Sequence, residues 1–319
     1  MERALKAVDR LESAFDTPTV RSDVAARLAA LHARTAPGTV LPGGYVLGDL
    51  IGAGGMGQVF LAKQCALGRT VAIKVAHSHL SEGPNVRERL VVEALAASRV
   101  RHCGSVEIFD FRQPDREEGP SFLVMEHIEG RRLTEMLRSD TVSVGRCVHL
   151  IVQLLWVLEE AHRSGVLHRD VKPDNVLVTV DRSGREHIKL VDYGLALVDD
   201  GWRVRGSTVP GVMYGTPGYM SPEQAGGSRV DARTDIYSTA VVLHALLTRT
   251  LPGQGRVSAS GTVLATEAHA AVVTSAIPAP IASVLRRALA GCPDQRPPTA
   301  AAFARELAES MALLGAGST

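Results

Sequence analysis

Aromatic side chains are scarce in this sequence, at 4% of 319 residues, so a core has to be built mainly from Ala, Val, Leu and Ile. Cysteine is scarcer still. Cys65, Cys103, Cys147 and Cys292 lie far apart and form no C-x-x-C pair. That spacing argues against a metal knot or a disulfide framework and favours a reducing, cytoplasmic setting. No apolar run approaches the roughly 18 residues a membrane-spanning helix needs. Neither sign of charge is in excess: the net charge is +1, which gives nothing to draw a nucleic acid or a membrane surface. The opening Met1-Glu2-Arg3-Ala4-Leu5 carries early charge and no long apolar stretch, so no secretory signal is expected. Internal repeats and low-complexity tracts are lacking too.

What is present is ordinary for a globular chain that is soluble, whether whole or part of a longer membrane protein. Hydrophobic residues make up 45% and charged residues 22%. The length is too great for one small core and suits two packed lobes. Residues 1–44 read as a helical extension and linker. Leu5, Val8, Leu11 and Phe15 recur at helical spacing, Thr17-Pro18 breaks the pattern, and Ser22 can cap a second run with Val24, Leu28 and Leu31. Ala36-Pro37-Gly38 and Pro42-Gly43-Gly44 then read as linker. The plainer use of such an arm is packing on the main domain; the sharper one is regulation or dimerisation.

From Tyr45 the texture turns β-rich: Tyr45–Leu47, Gln58–Ala62, Thr70–Val75 and Ser121–Glu126 predict strands. A helix is expected over about 85–100. Beyond about residue 130 helices dominate, at about 133–138, 144–163, 221–225, 234–248, 279–290 and 299–312. Strands first and helices after predict an α+β, bilobal chain: a small antiparallel-sheet lobe over 45–127, a larger helical lobe over 128–312 and a flexible tail over 313–319.

Four groups of residues carry chemistry. Gly52, Gly54 and Gly57 fit G-x-G-x-x-G, where missing Cβ atoms let backbone amides approach phosphate. A dinucleotide fold would continue into a helix, but Val59-Phe60-Leu61-Ala62 is strand-like. In Val71-Ala72-Ile73-Lys74 an inward lysine among apolar neighbours needs an anion. Glu93, 19 residues later on the predicted helix, is one carboxylate partner and Glu88 a rival. In His168-Arg169-Asp170-Val171-Lys172-Pro173-Asp174-Asn175, Asp170 can accept the proton of an attacking hydroxyl and Asn175 can offer an amide oxygen to a divalent metal. Asp192-Tyr193-Gly194, after the strand Ile188–Val191, places a carboxylate suited to Mg²⁺.

In this order and spacing the motifs resemble the eukaryotic-type (Hanks-type) protein kinases, most closely bacterial serine/threonine kinases. Gly52-x-Gly54-Gly55-Met56-Gly57-x-Val59 and Gly215-Thr216-Pro217-Gly218-Tyr219-Met220-Ser221-Pro222-Glu223 carry the bacterial likeness. It covers about residues 45–312. The resemblance implies ATP with Mg²⁺, or Mn²⁺ in its place, and transfer of the γ-phosphoryl group to Ser or Thr of protein substrates. Lys74 would hold the α/β-phosphates and pair with Glu93, Asp170 would be the base, and Lys172 would offset charge at the γ-phosphoryl. Asn175 and Asp192 would hold the metal. ATP would lie against Ile51, Gly52, Ala53, Gly54, Gly55, Met56, Gly57, Val59, Ala72, Lys74, Glu93, Leu177 and the stretch Met125, Glu126, His127 and Ile128. Thr216 would face the substrate. Glu223 would pair with a late arginine, Arg296, and Asp235 would brace the loop around Asp170. Ser207 and Thr208 are the expected phosphorylation sites, with Arg169 as a partner for the phosphate and a homodimer as the vehicle for autophosphorylation in trans.

Some positions depart from the pattern. Tyr193 stands where phenylalanine is usual and brings a hydroxyl that needs a partner. Ser221 replaces alanine, and Cys103 occupies a common proline position. The stretch 249–280 is short and rich in Ala, Gly, Ser and Val, which predicts a reduced substrate-docking part of the helical lobe. Two other readings stay open at this point: a nucleotide-binding pseudokinase or scaffold, and a kinase for a small molecule.

Overall fold

The computed structural model describes residues 35–54, 57–76, 85–113, 120–138, 142–198, 215–252 and 277–316, with only the backbone of 85–88 and 315–316. The helices read within residues 1–34, Gly55, Met56, Ser207 and Thr208 lie outside the described residues. Contacts group the rest into two compact units. One holds the described residues up to Ala94 together with Glu107–His127. The other holds Leu95–Val106 and the described residues from Ile128 onward.

The first unit is an antiparallel sheet. Its strands are β1 (Val40–Leu41), β2 (Tyr45–Gly54), β3 (Gly57–Gln64), β4 (Arg69–Ala76), β5 (Ile108–Arg112) and β6 (Phe122–Glu126), in the order β1-β2-β3-β4-β6-β5. Strand β4 sits inside this sheet and is buried from Val71 to Ala76 on both faces. Its unbroken Val-Ala-Ile run reflects that position. Leu41, Tyr45, Phe60, Val71, Ile73, Val75, Phe122 and Val124 share one core. On the other face helix α1 (Asn85–Arg99) lays Leu90 and Ala94 against Ala76 and Leu123.

The expected linker before Tyr45 is instead stitched to the sheet. The Gly38 N–H donates to the Leu47 carbonyl at 2.7 Å, and the Leu47 N–H donates to that of Thr39 at 2.9 Å. Gly43 and Gly44 adopt φ of +90° and +75° to reverse the chain, a conformation glycine enters without a Cβ clash. That reversal lets Leu41 reach the core.

The second unit is mainly helical, with β7 (Arg131–Arg132), α2 (Leu133–Arg138), α3 (Val144–Arg163), β8 (Val166–Leu167), β9 (Val176–Val180), β10 (Glu186–Leu190), β11 (Leu197–Val198), α4 (Pro222–Ala225), α5 (Ala232–Thr248), α6 (Ala279–Ala288) and α7 (Ala300–Ala316). Helix α3 starts where the Ser143 hydroxyl accepts from the Arg146 N–H at 3.3 Å. Its apolar stripe, from Cys147 through Leu158, is buried. It stops at Gly165, whose φ is +72°. Helix α5 is capped by Asp231 and buried all round from Thr234 to Leu246, the mark of a central helix.

Two boundaries differ from the sequence reading. The segment Leu95–Val106, expected with the first lobe, joins the second unit because it hydrogen-bonds to β10: Leu190 donates to Gly104 at 2.7 Å and Val106 donates to Leu190 at 3.0 Å. The expected tail is helical up to Ala316, because Met311, Leu313 and Leu314 extend the α7 run.

Candidate active site

Each unit gathers its own set of the residues singled out by sequence. In the first, the β2–β3 hairpin carries the glycines. Ile51, Gly52, Ala53 and Gly54 end β2, and Gly57 and Val59 begin β3, with Gly54 opposite Gly57. A Cβ on Gly57 would run into the Val75 carbonyl oxygen of β4, so that glycine serves strand packing. Ala72 and Lys74 lie on β4, and Met125 and Glu126 on β6. Lys74 is 5% exposed and Glu93 4%. Its ammonium donates to both Glu93 carboxylate oxygens, at 2.8 and 2.7 Å. Neither charge would tolerate such burial alone. Glu93 is therefore the partner that the sequence left in competition with Glu88, whose side chain lies outside the described residues. Glu126 accepts from the Glu107 N–H at 2.8 Å.

In the second unit, Ile128 and Leu177 are half-buried. The loop 168–175 is held by α5. Asp235 is fully buried and accepts from the His168 N–H at 2.9 Å, the Arg169 N–H at 2.8 Å and His162 Nε2 at 2.8 Å. Burial pushes this carboxyl up. The His162 hydrogen bond, the charges of His162 and His168 and the His168 amide outweigh it and hold the group below its ordinary value. Arg169 is left at φ +64°, and Gln224 closes over it by donating to its carbonyl at 2.7 Å.

That backbone turn presents a closed polar ring. Lys172 donates to Asp170 Oδ2 at 2.6 Å and to the Thr216 hydroxyl at 2.7 Å. The Thr216 hydroxyl donates to Asp170 Oδ1 at 2.8 Å. Asn175 Nδ2 donates to the Asp170 carbonyl at 2.9 Å and to Oδ2 at 3.2 Å. The Asn175 amide oxygen is thereby left on the side away from these two acceptors. The Val191 N–H donates to the Asn175 carbonyl at 2.9 Å and sets Asp192 beside this loop. Asp192 has φ +65° and accepts from the Gly194 N–H at 3.3 Å. A carboxylate and an amide oxygen are both hard oxygen donors, the type that suits Mg²⁺ or Mn²⁺ and suits soft metals poorly.

Glu223 and Arg296 meet as expected, at 2.7 and 2.8 Å in a bidentate pair. All five guanidinium N–H groups have acceptors, with the Ala290, Gly291 and Arg233 carbonyls taking the other three. Three residues that sequence reasoning missed complete the scaffold: His162 under Asp235, Gln224 over Arg169, and Ser105, which answers the Tyr193 hydroxyl at 2.9 Å. Ser105 lies 88 residues from its partner, and no local pattern marks it.

Comparison with known proteins shows which family this chain resembles. A family model described as the protein kinase domain matches residues 45–307. The serine/threonine-protein kinase pkn3 of Myxococcus xanthus is 38% identical over 280 residues, covering 82% of this chain and 49% of that protein. The serine/threonine-protein kinase Pkn1 of the same organism is 34% identical over 304 residues, covering 92% and 43%. The chain thus spans about half the length of these curated relatives, or less. The crystal structure of the Mycobacterium tuberculosis PknI kinase domain matches with a TM-score of 0.65 and 26% identity, over 86% of this chain and 99% of that one. By its motifs, its fold and these matches, the chain belongs to the protein kinase domain family.

Proposed function

We propose that the chain is an ATP-dependent kinase acting on serine and threonine hydroxyls of proteins. The observation that carries the reading is the Thr216 hydroxyl donating to Asp170 at 2.8 Å while Lys172 pairs with the same carboxylate. An alcohol and an ammonium on one carboxylate are what transfer to an alcohol needs. Asp170 orients the acceptor hydroxyl and takes its proton as the oxygen attacks the γ-phosphorus. The bond to the β-phosphate oxygen breaks and ADP leaves. Lys172 offsets charge on the transferring group, and Lys74, set by Glu93, does so at the α/β-phosphates. Asn175 and Asp192 would hold the divalent cation, which when bound neutralises phosphate charge. The wide spacing of Cys65, Cys103, Cys147 and Cys292 along the chain supports a reducing, cytoplasmic setting. Among the described residues no helix is long and apolar enough to cross a membrane.

The test is transfer from γ-labelled ATP to a generic basic protein, comparing the intact chain with Lys74→Ala, Asp170→Asn and Asp192→Ala. Loss of transfer in all three, with folding kept, is expected; full activity in any of them defeats its assigned role. Nucleotide binding without transfer by the intact chain would favour the pseudokinase reading instead. Mass mapping of the same reactions tests Ser207 and Thr208, and a rate that rises with protein concentration would support transfer between two copies.

A further inference from the structure

The Tyr193 hydroxyl has a purpose-built seat. Tyr193 is fully buried, with its ring 4.9 Å from that of His168. Its hydroxyl lies 2.9 Å from Ser105 Oγ, and Ser105 is 3% exposed. Every polar atom of Ser105 is committed. Its N–H donates to the His102 carbonyl at 2.9 Å, and its own carbonyl accepts from Lys189 Nζ at 3.3 Å. The neighbours are equally fixed: Gly104 and Val106 both pair with Leu190, and a Cβ on Gly104 would collide with Val157. Ser105 is thus a rigid anchor, tied to β10 and α3. The residue on the other side of Tyr193 is Asp192, held in the left-handed backbone region at φ +65°. Aspartate enters that region more readily than most non-glycine residues, and here the Val191 N–H bond to the Asn175 carbonyl and the Gly194 N–H bond to the Asp192 carboxylate flank it.

We propose that the Ser105–Tyr193 hydroxyl pair is a positioning device. It pins the ring next to Asp192, so that the Asp192 carboxylate is set for the divalent cation before the cation arrives. The inference rests on the metal role proposed above for Asp192. An aromatic ring alone would fill the cavity; the added hydroxyl fixes the ring's depth and rotation, and with them the peptide that carries the carboxylate. Without the pin the carboxylate samples other poses, and apparent metal affinity falls by the fraction of time it is misplaced.

The experiment is titration of Mg²⁺ into the chain with a fluorescent ATP analogue, read by nucleotide binding, beside urea unfolding of each protein. The variants are Tyr193→Phe, Ser105→Ala and the double variant. Each single variant leaves one buried hydroxyl without its partner and should lose stability; the double variant removes both and should regain most of it. Apparent Mg²⁺ affinity should fall in all three, by up to about fivefold, the ceiling set by one lost buried hydrogen bond. Stability rescued in the double variant with Mg²⁺ affinity still weak supports positioning. Unchanged Mg²⁺ affinity in all three overturns it and leaves the pair as packing. Absence of Mg²⁺-dependent nucleotide binding by the intact chain would instead overturn the metal assignment of Asp192 itself.

Discussion

Arg296→Leu should cost the folded chain about 3–5 kcal/mol, the range for breaking a buried ion pair by deleting one partner. The Arg296 side chain has no exposure, and Glu223 keeps 10%. The substitution leaves Glu223 with the Thr234 hydroxyl at 2.8 Å as its remaining side-chain donor. It also strips a donor from the Arg233, Ala290 and Gly291 carbonyls and removes the guanidinium that lies 4.8 Å from the Tyr237 ring centroid. At about 2–4 °C per kcal/mol for a unit of this size, the melting temperature should drop by about 6–20 °C. The effect should also depend on pH. Burial pushes the Glu223 carboxyl up, but the Arg296 hydrogen bond, backbone bonding, the Arg296 charge and Thr234 together hold it below its ordinary value of 4.5. A carboxyl depressed by folding stabilises fully above its unfolded value, and that contribution is lost as pH falls through the folded one. The wild-type advantage over Arg296→Leu should therefore be full at neutral pH and shrink as pH falls, since the buried carboxyl of the variant, without the Arg296 bond and charge, takes up a proton before the wild-type carboxyl does. Circular dichroism with urea and heat, at several pH values between 3 and 7, is the assay. A penalty under about 1 kcal/mol at neutral pH, or one that does not change on acidification, would refute the claim that this pair is a buried, charge-dependent brace.

Other outcomes follow from single contacts. Gly57→Ala should destabilise the sheet unit by about 1–3 kcal/mol or more in urea unfolding, because its methyl group meets the Val75 carbonyl of a strand that cannot retreat. Asp235→Asn should cost about 2–3 kcal/mol, since it weakens charge-assisted bonds to His168, Arg169 and His162 and turns an amide N–H toward one of these donors. The Asp235 carboxyl is held below its ordinary 3.8, so this loss too should be full at neutral pH and fade in acid. Native alkylation at pH 7.5 followed by mass spectrometry should modify Cys65, Cys103 and Cys292, which are exposed. Cys147 should be spared until the chain unfolds, because burial pushes its thiol up to about 11.

Much of the arrangement was legible in the chain itself. Glycines followed by a strand, a lysine inside Val-Ala-Ile and an aspartate five residues before an asparagine are local patterns, and local sterics and hydrogen bonding enforce them. The α3 boundaries could be read because Ser143 caps it and Gly165 ends it within one turn of the apolar stripe. What stayed hidden is long-range. The choice of Glu93 over Glu88 depends on which face of α1 meets β4. The strand Val40–Leu41 inside an apparent linker exists because Leu41 finds a core that residues far along the chain complete. Ser105 answers Tyr193, and His162 answers Asp235, across 88 and 73 residues. Sequence alone determined which chemical groups the motifs of this protein carry, because each motif is a short run whose backbone chemistry is self-contained. Only the tertiary structure decided which buried polar groups satisfy one another, because a hydrogen bond in the interior is chosen by packing in three dimensions and leaves no periodic trace along the chain.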